Sequence, residues 1–420
     1  MKRNLQILAM RTWGELGNLL AARTLASALT SELPGVEVEV LEAEALFPRF
    51  ARIGAAIEGI AKMPCEPAER HGNYLSFMTQ LEEVFPHDLE ARERPLGMLD
   101  PELDRLVEHF GSTRPDLVVG TKGVISRLCL AALRRAGLDV PVVNFVTNEG
   151  LLRLPIHRSA ALAHNLVPFE SARRYLLVEH AFLPERVQVV GRLIAQPELA
   201  RFVEHGGPTE MPAECPADVR VLVLSNRGGE PYLRLLRHLA EWYPELPVIF
   251  IGYNDPPLCE AAERLRREQS LPRWRIFSKL GQGDYLRYLC WLTESNCPML
   301  VSKTGPNTMC EAAYFGVPQL LLYSGLPMED WVIPFLHELD LGRGFDTMEK
   351  LISAMEDWLQ HPADVVRMKE GARRFATTTM DQVRTRRRIG AIFAELLSMS
   401  GTHGRDQCSP GPQKALDPSS

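Results

Sequence analysis

Val301-Ser302-Lys303-Thr304-Gly305-Pro306-Asn307-Thr308-Met309-Cys310-Glu311-Ala312-Ala313-Tyr314-Phe315-Gly316-Val317-Pro318 begins as an apolar run, enters a Gly-Pro turn and continues as a helix starting near Asn307 or Thr308. A helix start of this kind presents amide N–H groups and the positive end of the helix dipole, which together suit a phosphate. Thr308 adds a hydroxyl donor, and Glu311, one turn in, is placed to accept hydrogen bonds from a ribose diol. The same residues satisfy a second pattern. Thr308 followed three residues later by Glu311 is also a capping box, a helix signal with no ligand attached. Spacing alone leaves both readings open.

Outward from this segment, short apolar runs alternate with helical spacings. The second half begins with Val219 to Ser225, the loop Asn226-Arg227-Gly228-Gly229-Glu230 and a helical stretch from Tyr232 to Trp242. Further strands are expected at Pro247 to Gly252, Trp274 to Phe277, Met299 to Ser302 and Gln319 to Tyr323. The first half opens in the same way: a strand from Leu5 to Met10, a loop containing Gly14, Glu15, Gly17 and Asn18, then a helix with Leu20, Ala21, Leu25, Ala28 and Leu29 in register. Strands at Val36 to Val40, Asp116 to Gly120 and Pro141 to Val146 follow. Such alternation specifies parallel sheets covered by helices on both faces. The chain therefore reads as α/β, with two tandem domains at 1–195 and 219–378.

The breaker-rich stretch 196–218, with Pro197, Gly206, Gly207, Pro208, Pro212 and Pro216, is the expected linker. An amphipathic helix over 379–398 carries Ile389, Ile392, Phe393, Leu396 and Leu397, and 399–420 has the composition of a disordered tail. The basic run Arg384 to Arg388 in that helix suits an anionic partner or a solvated face.

A length of 420 residues accommodates two or three domains, and 45% hydrophobic with 24% charged residues excludes disordered and collagen-like classes. The 53 acidic against 47 basic side chains leave a net charge of −6, which does not point to nucleic acid. No apolar run nears the roughly 20 residues of a membrane span, and the start lacks a signal-peptide core, so a cytoplasmic protein is expected. Peripheral membrane contact stays open. Phe47, Phe50, Ile53, Ile57 and Ile60 form a helical stripe flanked by Arg49, Arg52 and Lys62, which either packs on the domain core or meets a lipid or apolar acceptor. Eight cysteines without a C-x-x-C pair read as reduced thiols and give no zinc pattern.

Lys303, Gly305, Pro306, Thr308, Glu311 and Ala312 match the K-x-G-P-x-T-x-x-E-A core of a family of GT-B glycosyltransferases. The stretch resembles the donor-nucleotide motif of monogalactosyldiacylglycerol synthase, processive diacylglycerol glucosyltransferase and the peptidoglycan N-acetylglucosaminyltransferase. Gly252-Tyr253-Asn254 resembles the family's G-R-N, and Met328-Glu329 with Pro334-Phe335 resembles its Q-E and P-F loop. Gly14 to Arg23 resembles the glycine loop G-x-G-H-x-x-A-A-R more loosely, as Val189-Val190-Gly191-Arg192 resembles the exit to the linker.

The resemblance implies two Rossmann-like domains facing across a cleft, with the last helix returning to the N-terminal one. It assigns a UDP-sugar donor to the C-terminal domain and a lipid or small-molecule acceptor to the N-terminal domain. Glu311 would hold the ribose, while Thr308 and the amides after Gly305, at Asn307 and Thr308 beyond Pro306, would hold the diphosphate. Gly228 and Gly229 would admit the phosphates, Phe277 and Lys279 flank the backbone that reads the uracil edge, and Glu329, beside Met328 and Asp330, would bind sugar hydroxyls. No cofactor and no metal are implied, because amides, hydroxyl and dipole take the role Mg²⁺ has in D-x-D transferases.

Two departures stand out. Asn18 occupies the position of the family's glycine-loop histidine, and an amide cannot act as a general base. Met328 stands where a glutamine reads the sugar and Val332 where an asparagine lies nearby, which suggests a deoxygenated or otherwise unusual sugar. Substitute bases are Glu15, whose position equally suits charge-capping of the helix after it, then Glu149 and His157. The sequence thus supports an inverting, metal-independent transferase first. A non-catalytic nucleotide-sugar-binding subunit that lost the base, and a UDP-sugar epimerase on the same scaffold, are the alternatives.

Overall fold

The computed structural model describes residues 2–10, 17–61, 63, 67–84, 100–194, 220–225, 229–253, 255–292 and 297–403. The N-terminal unit runs β1 (Arg3–Ala9), α1 (Gly17–Glu32), β2 (Val36–Glu42), α2 (Pro48–Ala61), α3 (Pro67–Val84), α4 (Asp100–Thr113) and β3 (Leu117–Gly120). It continues with α5 (Gly123–Arg135), β4 (Val142–Phe145), β5 (His164–Val167), α6 (Glu170–Arg174) and β6 (Val187–Val189). All six strands are parallel, in the order β2-β1-β3-β4-β5-β6.

The second unit repeats the plan. It comprises β7 (Val221–Leu224), α7 (Glu230–Trp242), β8 (Val248–Ile251), α8 (Pro256–Glu268), β9 (Trp274–Phe277), α9 (Gln282–Leu292), β10 (Met299–Lys303) and α10 (Pro306–Tyr314). Then come β11 (Gln319–Leu322), α11 (Pro327–Asp330), α12 (Val332–Glu338), β12 (Gly342–Phe345), α13 (Met348–Gln360), α14 (Ala363–Thr378) and α15 (Gln382–His403). Its sheet is again parallel, ordered β12-β11-β10-β7-β8-β9.

The central strands β3, β4 and β8 are buried along their whole length, as sheets covered on both faces require. Edge strand β2 alternates half-buried valines with exposed glutamates, which blunts its open side against pairing with another chain. Helix α15 leaves the second unit and packs on α1. Its Ile389, Phe393, Leu396 and Leu397 are buried with Leu5, Leu25 and Leu29 of the first.

The stripe at residues 47–60 resolves in favour of the core. Phe47, Ile57 and Ile60 are buried beside Tyr74, Met78 and Phe110, with Ile53 packed against them; the side chain of Phe50 lies outside the described residues. The alternative of a lipid-facing surface is corrected for those four positions, because their apolar area is already withdrawn from water. No described helix is long and apolar enough to cross a membrane.

Candidate active site

The two sheets present their C-terminal edges to each other. Gly17, following β1, lies so close to α10 that a Cβ there would sit 2.6 Å from Asn307 Nδ2. Gly150, following β4, meets the segment after β11: a Cβ would be 2.5 Å from the Met328 carbonyl oxygen and 2.4 Å from Trp331 Cδ1. Ligands of open α/β sheets bind in such crevices outside the strand ends.

On the second unit, β10 delivers the chain into extended Gly305, and Pro306 opens α10 where its missing N–H leaves no bond unmade. No side chain caps this helix, and it has no acid in its first turn. The capping-box alternative is therefore not formed, and the dipole end stays open to an anion. Glu311, one turn in, is only 8% exposed. It lines a cavity with Asn307, Arg192, Thr147, Gly17 and Leu20. Burial, then the charge of Glu311, pushes the Tyr285 hydroxyl well above its ordinary value, while a hydrogen bond with Thr308 pulls the other way.

The loop from Ser324 to Trp331 is tied down from both sides. Lys303 Nζ donates to Glu329 Oε1 and Oε2 at 2.9 and 2.8 Å. Asp330 Oδ1 accepts from Thr304 Oγ1 at 2.6 Å, Ser324 N at 2.9 Å and Ser324 Oγ at 3.0 Å. The N-terminal unit holds the other side. Arg70 donates to the Ser324 carbonyl, Leu326 is buried in the core of that unit, and Gly325, at φ +78°, would drive a Cβ to 2.3 Å from the Pro67 carbonyl oxygen. Trp331 Nε1 donates to Asn148 Oδ1 at 3.0 Å. Asp330→Ala would take this acceptor from the Thr304 and Ser324 hydroxyls, while Ser324 N keeps Thr304 Oγ1 at 3.1 Å, and a loss of about 1–3 kcal/mol in denaturant unfolding is expected. A change below 0.5 kcal/mol would mean the loop is not held by this carboxylate.

Opposite stands Glu149, which opens a short 3₁₀ turn whose cap, Asn148, accepts from Gly150 N at 3.0 Å. Burial raises its carboxyl to about 7, against the opposing effects of the Ser171 hydroxyl, which donates at 3.0 Å, and of Arg153. Glu149 is near enough to α10 to raise the Cys310 thiol, together with Glu311 and after burial itself. Asn18 is buried, and its Oδ1 accepts from Thr147 Oγ1 at 2.8 Å, beside the cavity wall.

No protein-family model matches the chain, and no curated protein matches it. Solved structures do. UDP-GlcNAc 2-epimerase from Neisseria meningitidis, bound to UDP-GlcNAc, shares 13% identity over 94% of this chain and 100% of its own, with a TM-score of 0.55. The glycosyltransferase SnogD from Streptomyces nogalater shares 18% over 94% and 100%, at 0.53. MurG from Acinetobacter baumannii shares 15% over 91% and 98%, also at 0.53. The fold is GT-B.

In this GT-B frame the sequence-derived residues fall into groups. Lys303, Gly305, Pro306, Asn307, Thr308, Glu311, Glu329 and Asp330 gather at the C-terminal edge of the second sheet. Phe277 stacks near Tyr288 at 5.6 Å and Lys279 is exposed beyond β9. Gly229, at φ +58°, has open space where a Cβ would be. Gly14, Glu15, Gly228 and Asn254 lie outside the described residues.

Two expectations are corrected. His157 is 1% exposed and packs on the start of α5, where its Nδ1 faces Val124 N at 3.4 Å; burial, Lys122 and Arg127 hold it well below the ordinary histidine value, so it is too weak a base and too enclosed to take a substrate proton. Val332 is wholly buried in the second unit's core and cannot read a sugar, and Met328 packs against the core of the first unit. Sequence reasoning cited Arg192 only as part of the linker exit and passed over Asn148 and Trp331; no local pattern distinguishes them.

Proposed function

We propose that the protein is a glycosyltransferase that moves a sugar from a UDP-sugar to a hydroxyl of a lipid or small-molecule acceptor, with inversion and without a metal. The reading rests on one observation above all: a carboxyl with its pKa near 7, Glu149, stands across the cleft from an uncapped helix N-terminus bearing Glu311. A general base works best with a pKa near the working pH, and an uncapped N-terminus receives developing negative charge.

In this mechanism Glu311 accepts hydrogen bonds from the ribose hydroxyls while the amides at the start of α10 and the Thr308 hydroxyl donate to the diphosphate. The acceptor oxygen attacks the anomeric carbon and gives its proton to Glu149. The bond from that carbon to the diphosphate oxygen breaks, and its electron pair leaves with UDP. Glu329, paired with Lys303, offers carboxylate oxygens to the sugar hydroxyls.

Likeness to the epimerase supports a second reading, in which the same donor site inverts a carbon of the sugar within the UDP-sugar. Incubating the protein with a panel of UDP-sugars and candidate hydroxyl acceptors, then separating the nucleotides, distinguishes them. Acceptor-dependent release of UDP is expected; a new UDP-sugar isomer without release would replace the transferase by an epimerase. Binding of UDP-sugars with neither product across the panel would favour a binding subunit.

A further inference from the structure

Among the groups around the cavity, Arg192 has a chemistry that the donor reading has not used. Gly17, the first described residue of α1, touches α10 at Asn307. Helix α10 begins at Pro306 with no side-chain cap and no acidic residue in its first turn. Its positive dipole end therefore lies at the cavity wall. Into this junction reaches Arg192, from the segment after β6, with Nη2 donating to Asn307 Oδ1. Its guanidinium also lies beside the Cys310 thiol, which it pulls down against the larger effect of burial. Nη1 is buried with no acceptor among the described residues.

A guanidinium set against a helix N-terminus is unfavourable unless an anion shares the space. Lys303 has its charge matched by Glu329 at 2.8 Å, whereas the partner of Arg192 is a neutral amide oxygen. Its backbone is nevertheless held in place: Gln382 of α15 donates to the Arg192 carbonyl at 2.9 Å and accepts from Ile194 N at 2.9 Å. Gly191, at φ +82°, makes a turn whose Cβ position is occupied by Thr385 Oγ1 at 2.5 Å. The sequence fastens a charged side chain on the wall of the cavity that Glu311 and the start of α10 also line.

We infer that Arg192 is a diphosphate-binding residue, donating to the phosphate oxygens and neutralising the charge that collects there as the sugar leaves. The inference deepens the donor reading of the same site and rests on it. The geometry also links the domains: Arg192 belongs to the N-terminal unit and the α10 amides to the C-terminal one, so a diphosphate between them would bind best with the cleft closed.

Calorimetric titration of the full chain with uridine, UMP and UDP, for wild type, Arg192→Gln, Arg192→Lys and Asn307→Ala, tests this. Arg192→Gln is expected to weaken UDP roughly tenfold to a hundredfold, as for loss of a charged hydrogen bond, and to leave uridine within about threefold of wild type. Arg192→Lys should recover part of the UDP affinity. Asn307→Ala, which removes the tether and keeps the guanidinium, should cost UDP less than Arg192→Gln does. An equal loss for all three ligands in Arg192→Gln would make Arg192 an interdomain strut and overturn the inference, as would unchanged UDP binding. If the wild type binds neither uridine nor UDP, the donor reading itself fails and takes this inference with it.

Discussion

Glu149→Gln is expected to lower turnover by roughly a hundredfold to ten-thousandfold while leaving UDP affinity near wild type, since the amide fills the same space but takes no proton. The pH profile should carry the same signature. A base with its pKa near 7 is charged, and active, only above that value, so kcat/KM of the wild type should fall as pH drops below about 7. Stability should move the opposite way. The folded-state value is raised from 4.5 to about 7, so the carboxyl stays protonated in the folded state between those pH values and ionises in the unfolded one. Its burial therefore costs nothing below about pH 4 and reaches its full cost, on the order of 3 kcal/mol at most, above pH 7. Glu149→Gln removes that cost, so the variant should melt higher than wild type at pH 8 and equally at pH 4. Full activity in Glu149→Gln would remove this residue as the base and return attention to Glu15.

The α/β character and the doubled plan are written locally. Short, near-continuous apolar runs such as Val221–Leu224 and Val142–Phe145 become central strands, and helical spacings such as Leu25, Ala28 and Leu29 become the buried face of α1. The Gly305-Pro306 turn is equally local, because its backbone geometry depends on the two residues themselves. The stripe at 47–60 was ambiguous in sequence because a core face and a lipid face share one period; only its partners Tyr74, Met78 and Phe110 decide between them.

What escaped the sequence is contact across the cleft. Asn148 meets Trp331 across 183 residues, and Arg192 meets Asn307 across 115. No periodicity encodes pairs so distant. The contrast between Glu149 and His157 has the same origin. Both follow β4 and stand eight positions apart, yet one carboxyl is desolvated at the cleft while the imidazole is sealed behind α5 next to two cations. Titration behaviour belongs to the environment, and the environment is assembled from remote segments. The capping-box reading of Thr308 and Glu311 failed for a nearer reason: the helix begins at Pro306, so Thr308 falls inside the first turn and is not its cap.

Glu311→Ala is expected to weaken uridine and UDP together, by roughly a hundredfold or more, since two hydrogen bonds to a carboxylate are lost in a buried setting. The shared loss is the point. A residue that holds the ribose affects every ligand carrying uridine, whereas Arg192 should discriminate by phosphate. Glu311 is 8% exposed, so the carboxylate is oriented before any ligand arrives and little ordering is left for binding. Its charge also adds to the raising of the Tyr285 hydroxyl and the Cys310 thiol, for both of which burial is the larger cause. Wild-type affinity for both ligands in Glu311→Ala would mean that the carboxylate faces the cavity for structural reasons and that the ribose lies elsewhere along the cleft.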